Sequence, residues 1–466
     1  MNRLRVGVAA VAIGASGTCV AGEQWIHERL VENMYGATVD NSRAVNSRGD
    51  VAYNVIPTPN IYFRDVYKNR ENITEWLGPW RTAYYAGIND AGQVAYGGWV
   101  GGWKNFKVFV DRTDWSSAML DPNKSYDLDA GGPNSRGEPI WRAKEEVAGA
   151  STDLYVGHRK ITEGIAGHYT AGAKLNGNDD LAWILAGDVT GRQWQIFFND
   201  RNITVPVVGY GARVGLTYHV NDAGDVFWKH EWLDSVGRPG SHIYLNDRNI
   251  TRPLFGDEPW TGASASALNN RGDIAWTAAD IRLYPGYDGE RFGSKDVFLN
   301  DQNISYPFYG EEPHDAYVTG LNDHGDLLWV GGIRATGQGT IWKNETDISW
   351  VAGPDASVDF TPQSMRLDQH GRVAWMDRGF HDAWDWRVWV DDLCLSTDAL
   401  GPDWRDYGAV LLDMGPNGHV LWMSYQRDQA GTVTVWRSTP IPEPSGGAAV
   451  ACGLLLLAAS VKRRGR

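Results

Sequence analysis

The sequence predicts an all-β fold made of repeated four-stranded sheets, and two observations carry that prediction. The first is a stretch that the chain keeps rewriting, Leu321-Asn322-Asp323-His324-Gly325-Asp326-Leu327-Leu328-Trp329. Close copies stand at Asn221 to Trp228 and Asn269 to Trp276; Asn46 to Tyr53 and Asn89 to Tyr96 end in Tyr instead. Looser copies run Asn134 to Trp141, Asn176 to Trp183, Asp368 to Trp375 and Gly415 to Trp422, which makes nine. The second observation is another recurring element, Ile243-Tyr244-Leu245-Asn246-Asp247-Arg248-Asn249-Ile250-Thr251. It returns at Val66 to Thr74, Ile196 to Thr204, Val297 to Ser305 and Ile341 to Ser349, and more faintly at Val108 to Ser116, Leu154 to Thr162 and Val388 to Ser396.

Each element has a physical reading. Asn or Asp followed three residues later by Gly marks a type I turn closed by a left-handed residue. The Asn side chain caps the turn, and Gly takes the positive φ without a Cβ clash. Gly49, Gly92, Gly224, Gly272, Gly325 and Gly371 hold this turn position, as do Gly137, Gly418 and, in place of Gly, Asp179. The residues that follow are short, β-branched and aromatic, so a strand leaves the turn. The second element reads as two strands around an Asn-Asp turn, giving four strands per unit.

Spacing then selects the architecture. The nine turn positions are separated by 43, 45, 42, 45, 48, 53, 46 and 47 residues. A period of about 40–50 residues with four strands per period is that of a β-propeller blade. A lone blade cannot bury its apolar face, so neighbours stack and the ring must close. Nine units exceed the usual range of roughly four to eight blades. The expectation is therefore a single propeller of seven to nine blades, with the third unit, which carries Pro139 in its strand, the doubtful one. A β-solenoid is the alternative, although its coils are normally shorter.

In chain order, Met1 to Arg5 are followed by the small, apolar residues Val6 to Val20, and Cys19-Val20-Ala21 suits signal peptidase. Residues 1–21 read as a signal peptide cleaved between Ala21 and Gly22, and the protein as exported. Residues 22–40 precede the first full repeat and echo the second element. The last unit runs out near Val433 to Arg437 without a fourth strand. The amino-terminal strand is expected to complete that final blade and remove the ring's open edges. Residues 22–439 then form one domain.

Composition excludes several function classes. A net charge of −14 disfavours nucleic acid and anionic membrane surfaces as partners. Of three Cys, only Cys394 lies in the body, so no disulfide framework holds it. The eleven His show no HExxH pattern and no Cys/His pairing suited to zinc. Nucleophile-elbow, P-loop and dinucleotide motifs are missing too, so no catalytic residue, metal ligand or cofactor is assigned. The Asn-Asp-x-Gly-Asp turns resemble pieces of calcium loops but lack the downstream bidentate acid, and Asp225 and Asp326 read as turn residues. Asn72, Asn202, Asn249 and Asn303 match glycosylation sequons, yet each belongs to a repeated strand turn. Most of the 23 Trp sit at repeat positions that need core bulk, such as Trp228, Trp276, Trp329 and Trp375; Trp260, Trp384 and Trp386 lie outside them.

The far end is the most specific stretch. Pro440-Ile441-Pro442-Glu443-Pro444-Ser445 leads into Gly446 to Val461, sixteen uncharged residues, and then Lys462-Arg463-Arg464-Gly465-Arg466. Sixteen helical residues span about 24 Å against a hydrocarbon core of ~30 Å, and the basic end orients such a helix with its carboxyl terminus in the cytoplasm. The sequence 440–466 resembles the PEP-CTERM sorting tail of Gram-negative bacteria, on Pro442-Glu443-Pro444, the apolar span 446–461 and the Arg-rich terminus. That resemblance implies processing by an exosortase at the inner membrane, release or attachment at the cell surface, and association with exopolysaccharide and biofilm. The repeats separately resemble TolB-type periplasmic propellers and related exported repeats, which implies no activity. Two functions follow as expectations. One is a non-enzymatic, surface-sorted binding or structural protein of the extracellular matrix, partnered by a glycan or an envelope protein. The other is a secreted polysaccharide hydrolase or lyase on a propeller scaffold.

Overall fold

The computed structural model describes residues 24–441 except for 40–42, 61–62, 79–81, 101–105, 118–123, 146–151, 166–168, 187–193, 210–212, 234–238, 256–260, 281–293, 311, 313, 334–338, 353–356, 359–363, 379–385 and 427–431. The predicted cleavage residues Ala21 and Gly22, the motif Pro442-Glu443-Pro444, the apolar span 446–461, Trp260 and Trp384 lie outside the described residues. No helix among the described residues is long and apolar enough to cross a membrane. Residues His27–Thr439 form one compact unit; of the other, Met1–Ile26 with Pro440–Arg466, the described part includes a backbone bond from Ile441 N to Gln24 O of 2.8 Å.

The fold is all-β. Its antiparallel units occupy residues 36–72, 82–114, 124–160, 169–202, 213–249, 261–303, 314–347, 357–394 and 407–440, here called the first to ninth sheets, the sixth and seventh being joined by one parallel pairing of Lys295 with Asp315. The fifth is representative, with strands Arg213–Val220, Val226–Leu233, Pro239–Leu245 and Arg248–Asn249 paired in sequence order. The first strand of most sheets carries a register shift (in the fifth, between Val214 and Tyr218). The third sheet has all four strands, and its Pro139 stands at the edge of strand Pro139–Glu145, opposite Pro133. Such an edge position costs no ladder bond, so the third unit is a full one.

In eight sheets the fourth strand is short, two residues long in each, because a two-residue turn feeds it directly from the third. The ninth sheet lacks that turn. Its third strand runs on through Val433–Pro440, and the ten-residue strand Trp25–Met34 from the other end of the chain pairs alongside it. The amino-terminal segment is thus the ninth sheet's fourth strand, while Gly36–Thr38 already begins the first sheet.

Apolar burial lies between consecutive sheets. Ala182, Ile184 and Ile196 of the fourth meet Val214, Tyr218 and Trp228 of the fifth. Phe227 and Ile243 of the fifth meet Ala263, Ile274 and Trp276 of the sixth. One larger cluster joins the two chain ends, with Leu30, Leu412, Leu421 and Val435 packed with Val45, Tyr53, Val66, Tyr85 and Tyr96. A sheet buried on both faces in this way has no independent core, so its stability resides in its neighbours.

Candidate functional site

The most ordered polar feature is the sheet end that carries both turns of each unit. In the fifth sheet Asn221 Oδ1 accepts from Asp225 N at 2.8 Å, and Asn221 Nδ2 donates to Asp225 Oδ2 at 3.0 Å. Asp225 Oδ1 in turn accepts from Asn246 Nδ2 in the second turn at 2.8 Å, and Asn246 Oδ1 accepts from Val226 N at 2.8 Å. Asp225 is therefore a link between turns, and Asp326 repeats the role with Asn322 and Asn344. The turn glycines Gly49, Gly92, Gly224, Gly272, Gly325 and Gly371 have φ between 79° and 88°, and Asp179 takes 65° in their place. Asn246 and its counterparts Asn69, Asn199, Asn300 and Asn344 are also left-handed, a conformation that Asn tolerates better than most residues.

The same asparagines join one sheet to the next. Nδ2 of Asn46 donates to Asn89 O at 3.0 Å, and Nδ2 of Asn89 to Asn134 O at 2.8 Å. Asn176, Asn221, Asn269 and Asn322 reach the carbonyls of Asn221, Asn269, Asn322 and Asp368 at 2.8–3.0 Å. Between the third and fourth turns Ser135 N donates to Asp179 Oδ1 at 2.8 Å; between the eighth and ninth, Gln369 N donates to Pro416 O at 3.0 Å. Asn417 Nδ2 then donates to Ser47 O, and Arg437 Nη1 to Gly49 O at 2.8 Å. The bonds run through all nine turns and return to the first.

The aromatic that ends each repeat has a matching polar role. Trp141, Trp183, Trp228, Trp276, Trp329, Trp375 and Trp422 are fully buried, as is Tyr53. Their N–H or O–H groups donate to the carbonyl of the second turn, for example Trp228 Nε1 to Asn246 O and Trp329 Nε1 to Asn344 O, both at 2.8 Å. In the ninth sheet, which has no such turn, Trp422 Nε1 donates to Ser438 Oγ instead, at 2.8 Å. Each of these rings stacks on an aromatic directly across the next strand, as Trp228 does on Tyr244 with centroids 4.5 Å apart. Trp and Tyr both combine such bulk with a donor at the tip, which is why Tyr can stand for Trp in the first two repeats.

The sequon residues are likewise structural. Thr251 is buried, its Oγ1 lies 3.3 Å from Ile243 N, and Asn249 Oδ1 accepts from Thr251 Oγ1 and Arg252 N. Asn202 and Asn303 make corresponding bonds. Short helical turns follow at Val205–Val208, Arg252–Phe255 and Tyr306–Tyr309. The proline in each (Pro206, Pro253, Pro307) is a helix-start signal the sequence reading did not use. The circuit of asparagine bonds was also missed, since nothing in one turn's sequence says which carbonyl its carboxamide reaches.

The strands Trp25–Met34 and Val433–Pro440 share a cluster of charges. Glu28 pairs with Arg437 and, at 3.0 Å, with Arg70 of the first sheet. His27 Nδ1 lies 2.8 Å from Ser438 Oγ and its Nε2 3.0 Å from Asp398 Oδ2, in the short helix Leu395–Leu400 that follows the eighth sheet. Asp413 adds a second link, accepting from Arg366 Nε at 3.0 Å and from Ala44 N at 2.7 Å.

Between the sixth and seventh sheets His314 is 1% exposed, with Nδ1 2.7 Å from Glu312 O and Nε2 3.1 Å from Asp296 Oδ1. Burial opposes its charged form, but the bonds to Asp296 and to the Glu312 carbonyl outweigh that and raise its pKa above 6.5. Burial likewise opposes the charge on Asp296, and bonds from His314 and Ser305 hold its pKa below the ordinary value. Because the folded His314 binds its proton more tightly than the unfolded chain, its contribution is complete below pH 6.5. It is lost as pH rises through the raised value. Stability should therefore decline as pH rises from about 6 to about 9, read by melting, and His314→Gln should remove that decline; a decline unchanged in that variant would contradict the assignment.

Among the described residues no group of three or more His, Cys, Asp or Glu could hold a metal ion. The described part of Trp386 is half-buried at the start of a third strand. The connections between second and third strands leave the opposite end of each sheet and vary in length and sequence, the longest joining Asp280 to Lys295. No protein-family model matches the chain, and no curated protein matches it.

Proposed function

We propose that the protein is a nine-bladed β-propeller, exported through a signal peptide at residues 1–21 and sorted to the cell surface by an exosortase acting at Pro442-Glu443-Pro444. There it serves as a non-enzymatic binding or structural component of the extracellular polysaccharide matrix. The circuit of bonds through nine turns supports the ring. The order of Pro442-Glu443-Pro444, an uncharged span and a basic terminus supports the sorting step and carries the functional reading. The turn end holds the sheets together, so a ligand is expected at the opposite end of each sheet, where the second strand leads into the third.

Two measurements test this. Glu443→Ala should leave the full-length chain in the inner-membrane fraction, whereas the unaltered chain loses its tail; equal processing of both would refute the sorting role. The processed protein should co-sediment with the source cell's own exopolysaccharide without releasing reducing ends. Release of reducing ends would establish the hydrolase or lyase reading in its place.

A further inference from the structure

The fifth sheet holds His219, His230 and His242, three of the chain's eleven histidines, in surroundings unlike that of His314. His230 and His242 stand directly opposite each other on adjacent antiparallel strands. His242 Nδ1 lies 3.0 Å from Thr251 Oγ1, and the Trp232 ring stacks on it at 5.8 Å. Tyr244 flanks His230, which pairs in register with Val214 on its other side. Glu231 is the acid beside His230 among the described residues, and it is already engaged by Lys229 at 3.0 Å and Arg213 at 3.3 Å. His219 sits on the first strand, against Phe227 of its own sheet and the Ala265 carbonyl of the sixth, with Nε2 buried and without a hydrogen-bond partner. The charge that acts on it among the described residues is the Lys174 ammonium of the fourth sheet, which donates to Tyr218 O at 2.6 Å and lies over the Tyr218 ring.

We propose that the fifth sheet is an acid-released segment of the fold, whose strands part from the fourth and sixth sheets when the medium acidifies while the seam between the sixth and seventh holds. Protonation of both His230 and His242 sets like charges directly opposite on neighbouring strands, a destabilising arrangement. Protonation of His219 adds an imidazolium beside Lys174, and no carboxylate among the described residues is paired with it. Burial, reinforced by His242, depresses His230 to about 4; burial, reinforced by Lys174, depresses His219 to about 3. Released strands take up protons near pH 6.5, so the stabilisation from neutral rings is complete above that value and drains away as pH falls toward the depressed ones. At the sixth–seventh seam Asp296 faces His314, and the same protons strengthen the contact. His419 of the ninth sheet is also held down by burial and by Arg437 and Arg372, but it has Asp50 beside it.

Hydrogen exchange of the full chain at pH 7, 6 and 5, corrected for intrinsic rates, reads the proposal directly. Opening of the strands at 213–249 should rise at least about tenfold from pH 7 to pH 5, while the strands at 314–333 stay as protected as before. Parallel behaviour of the two segments, or no change in either, would overturn it. The double variant His219→Gln, His230→Gln should lose the response. Should that variant not fold, His230→Gln alone, at a half-buried position, should weaken it, and an unaltered response in whichever variant folds would also overturn the proposal.

Discussion

Deletion of Trp25–Met34 is expected to abolish cooperative folding. The strand supplies the backbone partner of Val433–Pro440 and places Leu30 in the cluster that joins the ninth, first and second sheets. It also brings Glu28 to Arg437 and Arg70, and His27 to Ser438 and Asp398. Without it the third strand of the ninth sheet becomes a long open edge, which invites pairing between molecules. Losses of this kind reach the whole stability of an ordinary domain, about 5–15 kcal/mol. Calorimetry of the deleted protein should show no sharp transition, with aggregation on warming, and a synthetic peptide covering residues 22–36 should restore the transition in trans. Normal melting of the deletion variant would mean that the strand does not close the fold.

Truncation of a repeat aromatic is the next largest effect. Trp329 is fully buried, stacks on Trp342 with centroids 5.4 Å apart, and donates to Asn344 O. Trp329→Ala should cost about 3–5 kcal/mol through lost burial and the cavity left behind. Trp329→Phe keeps a ring but leaves the Asn344 carbonyl without its partner, for about 1–3 kcal/mol. Trp350 is 72% exposed, and Trp350→Ala should change stability by no more than about 0.5 kcal/mol. Denaturant titration of the three variants should give that order. Equal effects at positions 329 and 350 would contradict the packing described.

Much of this arrangement was legible in the sequence because the repeat states local rules. The Asn-to-Gly spacing specified a turn with positive φ at its fourth position, and even Asp179, which breaks the rule, adopts that conformation. The buried Trp rows followed from their place after the turn. Pro139 suggested a broken third unit because a proline inside a strand forfeits a bond, and it proved to stand where no bond is lost. What the sequence could not state was long-range geometry. Neither Asn221 reaching the carbonyl of Asn269 nor Arg437 reaching that of Gly49 leaves a mark in the residues nearby. The candidate binding end is least legible for a related reason, since its connecting segments share no pattern from unit to unit.

The central claim is that the ninth turn lies against the first. Cysteines introduced at Ser47 and Asn417, 370 residues apart in the chain, test it most directly. In the oxidised double variant Ser47→Cys, Asn417→Cys, mass spectrometry should find one intramolecular disulfide joining the two positions in nearly every folded molecule. A control pair at Ser135 and Asp179, on consecutive turns that already touch, should form its own disulfide. A protein that forms the control disulfide while positions 47 and 417 stay reduced would have an open row of sheets, and the closed ring would be wrong.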